Sequence, residues 1–239
     1  MPSWSYYPPI LTYHRVGEAR RDHVPTVSAQ AFERQLTWLA RWQYRVLSLA
    51  ELVDQLEHGG PMPRRSVAIT FDDGYEETYS VAWPLLKRAG FSSTVFVTPG
   101  DVGLPGFATW GQLNEMARDG TMMIGSHTMH HRYLPDVQDE HLAEELIGSK
   151  QVIESRIGHA VDFISYPIGG FTAQAQGIVR QAGYRAACTT NRRAHAPTAP
   201  LDRFAIRRIK VTERDRFAPW FYTKLSGYYD VFRRLKSPG

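Results

Sequence analysis

An α/β fold, with a mostly parallel sheet closed or nearly closed into a barrel, is what this sequence predicts. Three observations lead there. About seven short runs of apolar residues read as buried strands. Most are separated by segments with helical periodicity and capping residues, the pattern of repeated βα units. Several runs end in His or Asp, as happens where a barrel collects reacting groups at the C-terminal ends of its strands. An open doubly wound sheet would satisfy the first two observations equally well.

Taken in order, Pro8 to Val16 holds a short strand ending at His14, and a polar loop follows from Gly17 to His23. Ser28 can cap a helix with Phe32, Leu36 and Leu39 on one face. Tyr44 to Ser48 is a brief extended piece. Ser48 with Glu51 is a capping-box pattern that opens a helix through Leu52 and Leu56, stopped by Gly59-Gly60-Pro61. Ser66 to Phe71 is the next strand, and Asp72-Asp73-Gly74 stands at its exit. A helix with Trp83 and Leu86 runs to Gly90, the strand Ser93 to Val97 follows, and Thr109 with Gln112 caps a helix that Asp119-Gly120 ends. Met122 to Ser126 is a strand running straight into His127-Thr128-Met129-His130-His131. A long amphipathic helix through Leu142, Leu146, Ile153 and Ile157 ends at Gly158. Strands at Asp162 to Tyr166, Arg185 to Thr189 and Phe204 to Val211 complete the set, with a helix at about Thr172 to Ala182 between the first two.

The length, 239 residues with 43% hydrophobic, suits one large domain over residues 1–239 that ends in an amphipathic helix at about 215–235. Lys and Arg number 28 against 24 Asp and Glu, and no basic block is interleaved with aromatics, so nucleic acid is not the expected partner. The lone Cys188 excludes an internal disulfide and any cysteine cluster, which leaves His and carboxylate as the available metal ligands. Residues Met1 to Tyr7 lack the layout of a signal peptide, and no run of eighteen apolar residues occurs. The expectation is a soluble, cytoplasmic chain. Phe221, Leu225, Tyr228, Tyr229 and Phe232, with Arg233, Arg234 and Lys236 beyond them, fit a terminal helix packed on the barrel. An interfacial helix that brings the protein to a membrane is the alternative, less favoured because the aromatic stripe suits a core face.

Asp72 and Asp73 need a reason to be adjacent. Two neighbouring carboxylates repel, and both stay ionised only if a positive charge lies between them, for which a divalent metal is the strongest candidate. A plain turn would use Asp and Gly too. His127 and His131, four apart, would lie on one side of a helical turn and could share that metal with a carboxylate. Two histidines and one carboxylate leave coordination positions open, as a catalytic site requires. His130 is the alternative second histidine.

These residues resemble the motifs of the polysaccharide deacetylase family, carbohydrate esterase family four. Thr70-Phe71-Asp72-Asp73-Gly74 is followed by Ser126-His127-Thr128-Met129-His130-His131 and then, more loosely, by Tyr166-Pro167-Ile168-Gly169. The resemblance runs from about Ile10 to Val211 and implies a distorted (β/α)7 barrel, TIM-barrel-like, that removes acetyl groups from N-acetylated sugars with one divalent ion. Zinc is the expected ion, with cobalt or nickel as alternatives. Carried over, Asp72 is the general base, and Asp73, His127 and His131 are the metal ligands. A backbone N–H near Ile168 is an oxyanion donor, and Tyr166, Pro167, Ile168 and Gly169 border the substrate. Arg208 resembles a late arginine that orients the base, although a charge on a strand surface would read the same way.

The late Leu-x-His motif that supplies the catalytic acid is absent, and His195 lies in an unrelated polar loop. His14 replaces it in this reading. It would emerge at the same barrel mouth, and the permuted poly-N-acetylglucosamine deacetylases carry a similar Tyr-His near their start. Trp110, with Tyr166 and Phe171, could stack on a sugar ring. The function expected is a metal-dependent N-deacetylase acting on an amino-sugar glycan or oligosaccharide. An amidohydrolase of small amides and a silent glycan-binding protein are the alternatives.

Overall fold

The computed structural model of the chain describes residues 7–19, 22–58, 62–191, 202–226 and 229. In chain order its elements are β1 (Ile10–Tyr13), β2 (Arg15–Val16), β3 (Thr26–Val27), α1 (Ala29–Arg41), β4 (Arg45–Leu47), α2 (Leu49–His58), β5 (Ser66–Phe71), α3 (Trp83–Ala89), β6 (Ser93–Val97) and α4 (Trp110–Asp119). There follow β7 (Met122–Ser126), α5 (Asp139–Ala143), α6 (Ser149–Ile157), β8 (Phe163–Ser165), α7 (Ala173–Gln181), β9 (Ala186–Thr189), β10 (Ile206–Arg207), β11 (Ile209–Lys210) and α8 (Ala218–Leu225).

Local chemistry sets these boundaries. Ser28 accepts a hydrogen bond from the Ala31 N–H at the start of α1. Ser48 and Glu51 exchange bonds of 3.1 and 2.8 Å at the start of α2, and Thr109 with Gln112 does the same for α4. Left-handed glycines at 90, 120 and 158 end α3, α4 and α6.

The strands form a parallel sheet in the order β10-β9-β8-β7-β6-β5-β1-β11, with β4 alongside the first half of β5. Its two ends are β10 and β11, halves of the single run expected at Phe204 to Val211. That run is interrupted only at Arg208, so the strand that begins on β9 finishes on β1 and brings the sheet round into a distorted (β/α)7 barrel. The interruption has a visible role: the Arg208 backbone N–H stays on the Thr189 carbonyl while its side chain turns into the barrel. Strand β5 is buried along its whole length because β1 covers one edge and β4 and β6 share the other.

The other differences from expectation lie outside the sheet. The long helix before Gly158 is broken by one wide π turn, Glu144–Gly148, between α5 and α6. The segment from His127 to His131 is an irregular loop, not a helical turn, with Thr128 and His131 both in the left-handed region at φ 66° and 54°. Helix α8 packs Phe221 and Leu225 into the core and leaves Phe217, Trp220 and Tyr222 exposed. The rest of the expected terminal helix, including Tyr228, Phe232, Arg233, Arg234 and Lys236, lies outside the described residues, as does His195. Among the described residues no helix is long and apolar enough to cross a membrane.

Candidate active site and metal centre

Strand β5 delivers its two carboxylates into different surroundings, although each comes within 4.0 Å of His127 Nε2. Asp72 continues the strand, its N–H bonded to the Tyr13 carbonyl on β1, and its side chain is buried. Asp73 turns away with φ 72°, and Gly74 follows at φ 75°, where a Cβ would stand 3.0 Å from the Val97 side chain on β6. Two successive left-handed residues, the first not a glycine, are a strained arrangement that the surrounding contacts must hold.

Arg208 reaches across the barrel to Asp72. Its Nη1 and Nη2 donate to the two carboxylate oxygens at 2.6 and 2.7 Å, and it also donates to Thr70 Oγ1 and, at 2.5 Å, to Ser165 Oγ. The guanidinium lies 5.0 Å from the Phe96 ring centre. A strand-surface charge is therefore not what Arg208 is: it is the bulkiest fully buried side chain among the described residues. Thr12 on β1 adds a bond to Asp72 at 3.2 Å. Burial alone would push the Asp72 carboxyl up, but the charge of Arg208, then that of His127, and the Arg208 hydrogen bonds outweigh it. They hold the group well below the usual carboxylate range.

Asp73 is treated differently. Its Oδ1 is buried without a hydrogen-bond donor, yet lies 3.3 Å from His131 Nε2 and 3.6 Å from His127 Nε2. Burial first, and then the charge of Asp72, raise its carboxyl above the ordinary range, with a hydrogen bond from Tyr75 acting the other way. His127 donates from Nδ1 to the Ser165 carbonyl at 2.7 Å, which fixes the tautomer and leaves the Nε2 lone pair facing Asp73. Burial lowers this imidazole to about 3. One donor atom each from Asp73, His127 and His131 falls within 4.8 Å of the others, so the three can meet a single ion. An unpartnered buried carboxylate oxygen facing two imidazole nitrogens is what a divalent metal fits.

His130 points elsewhere. Its Nδ1 lies 2.9 Å from Glu145 Oε1, and its backbone N–H donates to Glu145 Oε2 at 2.9 Å. His14 follows β1 directly and, because β1 pairs with β11, stands beside the last strand. Its Nδ1 is buried without a partner. Burial lowers the ring to about 4, against the pull of Asp72, with Lys210, Arg208 and His131 adding to the lowering.

The residues expected to border a sugar divide. Ile168 is 70% exposed on the rim, at φ 58°, a conformation in which a β-branched residue is strained. Pro167 and Gly169 are buried beneath it. Tyr166 is a correction: it is buried, stacked on Phe171 at 4.7 Å, with its hydroxyl on the Phe204 carbonyl, so its ring has no free face for a sugar. Trp110 is half-buried against the core, with the Arg156 guanidinium 6.0 Å over its ring. Sequence reasoning passed over Thr12, Thr70 and Ser165, which complete the Arg208–Asp72 lattice. Their signal is a hydroxyl inside an otherwise apolar strand. It also passed over Tyr75 and Glu145.

The family model for polysaccharide deacetylases matches residues 59–187. The poly-β-1,6-N-acetyl-D-glucosamine N-deacetylase of Staphylococcus aureus (strain MRSA252) is 26% identical over 215 residues, covering 79% of this chain and 74% of its own. The Escherichia coli (strain K12) protein of the same name is 31% identical over 140 residues, 52% of this chain and only 21% of that longer protein. Among solved structures, IcaB from Ammonifex degensii superposes with a TM-score of 0.79 at 26% identity, over 91% of this chain and 96% of its own.

Proposed function

This chain belongs to the polysaccharide deacetylase family, and from that premise we propose that it is a metal-dependent N-deacetylase of a poly-N-acetylglucosamine chain or oligosaccharide. The observation that carries the reading is the contrast within the acidic pair. One carboxylate is anchored by Arg208, and the other presents an unpaired oxygen to two imidazoles. The β-1,6-linked polymer is the favoured substrate because the relatives from S. aureus and E. coli carry that substrate in their names.

Asp73, His127 and His131 would hold the ion, with zinc first and cobalt or nickel as alternatives. Bound there, a divalent cation supplies Lewis acidity to the acetyl carbonyl and to the attacking water. Everything else falls to the chain itself. Asp72 stays anionic over the working pH range and accepts the proton of the water as it attacks, while Arg208 fixes the carboxylate in one orientation. His127 is kept as the Nδ1–H tautomer by Ser165. His14 is the group we assign to the departing amine. Its ring rests neutral at pH 7, so the proton it passes to the amine is the one that Asp72 has first taken from the water. Ile168 stands exposed on the rim, where its backbone N–H is the donor we assign to the oxyanion. The exposed Phe217, Trp220 and Tyr222 support a peripheral membrane contact, which co-sedimentation with anionic vesicles checks.

The deciding experiment is acetate release from β-1,6-linked N-acetylglucosamine oligomers compared with small acetamides, with and without added zinc. Zinc-dependent release from the oligomers is expected. Release from the small amides alone would replace this reading with that of a general amidohydrolase, and binding of the oligomers without release would make the protein a glycan-binding one.

A further inference from the structure

Glu145 lies in the π turn between α5 and α6 and is 1% exposed. A carboxylate buried this deeply is costly to keep unless its partners need it, and an apolar side chain would pack there at less cost. Among the described residues, every partner of its side chain belongs to the loop that carries the second histidine ligand. Its Oε2 accepts from the His130 N–H at 2.9 Å, its Oε1 lies 2.9 Å from His130 Nδ1 and 3.5 Å from Arg132 Nε, and its backbone carbonyl accepts from the Met129 N–H at 3.1 Å. Residues 129, 130 and 132 are thus tied to one side chain and its carbonyl. His131, between them, has its Nε2 on the opposite flank, 3.3 Å from Asp73.

The loop needs such an anchor. His131 is held at φ 54° and Thr128 at φ 66°, and left-handed residues of this kind persist only where neighbouring contacts over-determine them. The first half of the loop is fixed by the sheet, through the His127 N–H on the Val97 carbonyl of β6 and the Thr128 N–H on Ser126 Oγ of β7. The second half is held by Glu145 and by the Gly100 N–H on the Met129 carbonyl. A wide turn in the helix is a common device where a residue must be re-aimed at a functional site.

We infer that Glu145 is the positioning residue that presents His131 to Asp73, and that it thereby sets the affinity of the centre for its ion. This rests on the metal-centre reading above. The test compares zinc affinity, by competition with a chromophoric chelator, and thermal unfolding of the metal-free protein for the parent, Glu145→Leu, Glu145→Gln and Leu146→Ala. Leu146 is the control, buried in the same turn but packed in the core. Glu145→Leu should weaken zinc binding roughly 10- to 100-fold, the range found for outer partners of metal ligands, while leaving the metal-free unfolding temperature close to the parent's. Glu145→Gln, which keeps one acceptor oxygen, should fall between. Leu146→Ala should lower the unfolding temperature with little change in zinc affinity. If Glu145→Leu does not fold, Glu145→Gln decides by the same comparison. Parental zinc affinity in the folded Glu145 variants, or an equal loss in Leu146→Ala, overturns the inference. A parent that binds no zinc overturns the metal-centre reading itself, and that outcome is distinct from both.

Discussion

Asp72 and Asp73 are adjacent in the chain, yet the two halves of the site built around them are opposite in kind. The Asp72 half is closed: both oxygens receive Arg208, one also receives Thr12, and the lattice extends to Thr70 on β5 itself and Ser165 on β8. The Asp73 half is open: one buried oxygen has no donor, and two imidazole nitrogens stand 3.3 and 3.6 Å from it. The difference shows how one strand end can provide two functions. The protein completes one carboxylate with donors and leaves the other incomplete, which is the division the metal-centre reading requires.

The strongest way to break that comparison is to neutralise each carboxylate in turn. Asp72→Asn should keep zinc, measured by metal analysis of the purified protein, and lose roughly 10²- to 10⁴-fold in turnover, the usual contribution of a general base. Asp73→Asn should lose the metal instead. Metal loss from the first variant and retention by the second would mean that the two halves have been assigned the wrong way round. In the same vein, His131→Ala should abolish zinc binding, whereas His130→Ala should only weaken it, because its imidazole faces Glu145.

A smaller effect sharpens the closed half. Among the described residues, Arg208→Met removes the one full charge bonded to Asp72 and strands a carboxylate that is 3% exposed. Breaking a buried pair from one side typically costs about 3–5 kcal/mol, which urea unfolding would show. The double variant Arg208→Met with Asp72→Leu should recover part of that loss, since an apolar pair leaves no charge behind. A double variant no more stable than Arg208→Met alone would show that the loss came from packing.

Much of this was legible in the sequence, for identifiable reasons. Strands β6 and β7 and the caps at Ser28, Ser48 and Thr109 follow from local alternation and side-chain chemistry, so they read correctly from a short window. The spacing of His127 and His131 brought attention to the right stretch for the wrong reason, because a left-handed loop and not a helical turn brings the rings together. Arg208 could not be told from a surface charge, since its burial depends on a strand that changes partner from β9 to β1 at that residue. The ring of Tyr166 is filled by Phe171, and Glu145 looks like any acidic helix residue. Those facts belong to tertiary packing, which no local pattern encodes.

The smallest effect concerns the histidine beside the closed half. Burial holds the His14 ring at about 4 and His127 at about 3, whereas in the unfolded chain each titrates near 6.5. As pH falls from about 6.5 towards 4, the unfolded chain therefore takes up protons at these two positions that the native protein refuses. The stability of the metal-free protein should drop through that window. Asp73 works in the opposite sense. Its native carboxyl is raised, so its contribution is present below the unfolded carboxylate pKa and is lost as pH rises through the native one. Two imidazoles against one carboxyl leave a net decline on acidification. Replacing His14 by Gln removes one of the two, and the slope of unfolding free energy against pH between 6.5 and 4 should fall by up to one proton, about 1.4 kcal/mol per pH unit. Urea unfolding of metal-free parent and variant at pH 7, 6 and 5 measures it. An unchanged slope would mean that His14 is as free to take a proton in the native protein as in the unfolded chain, and would move it out of the closed half of the site.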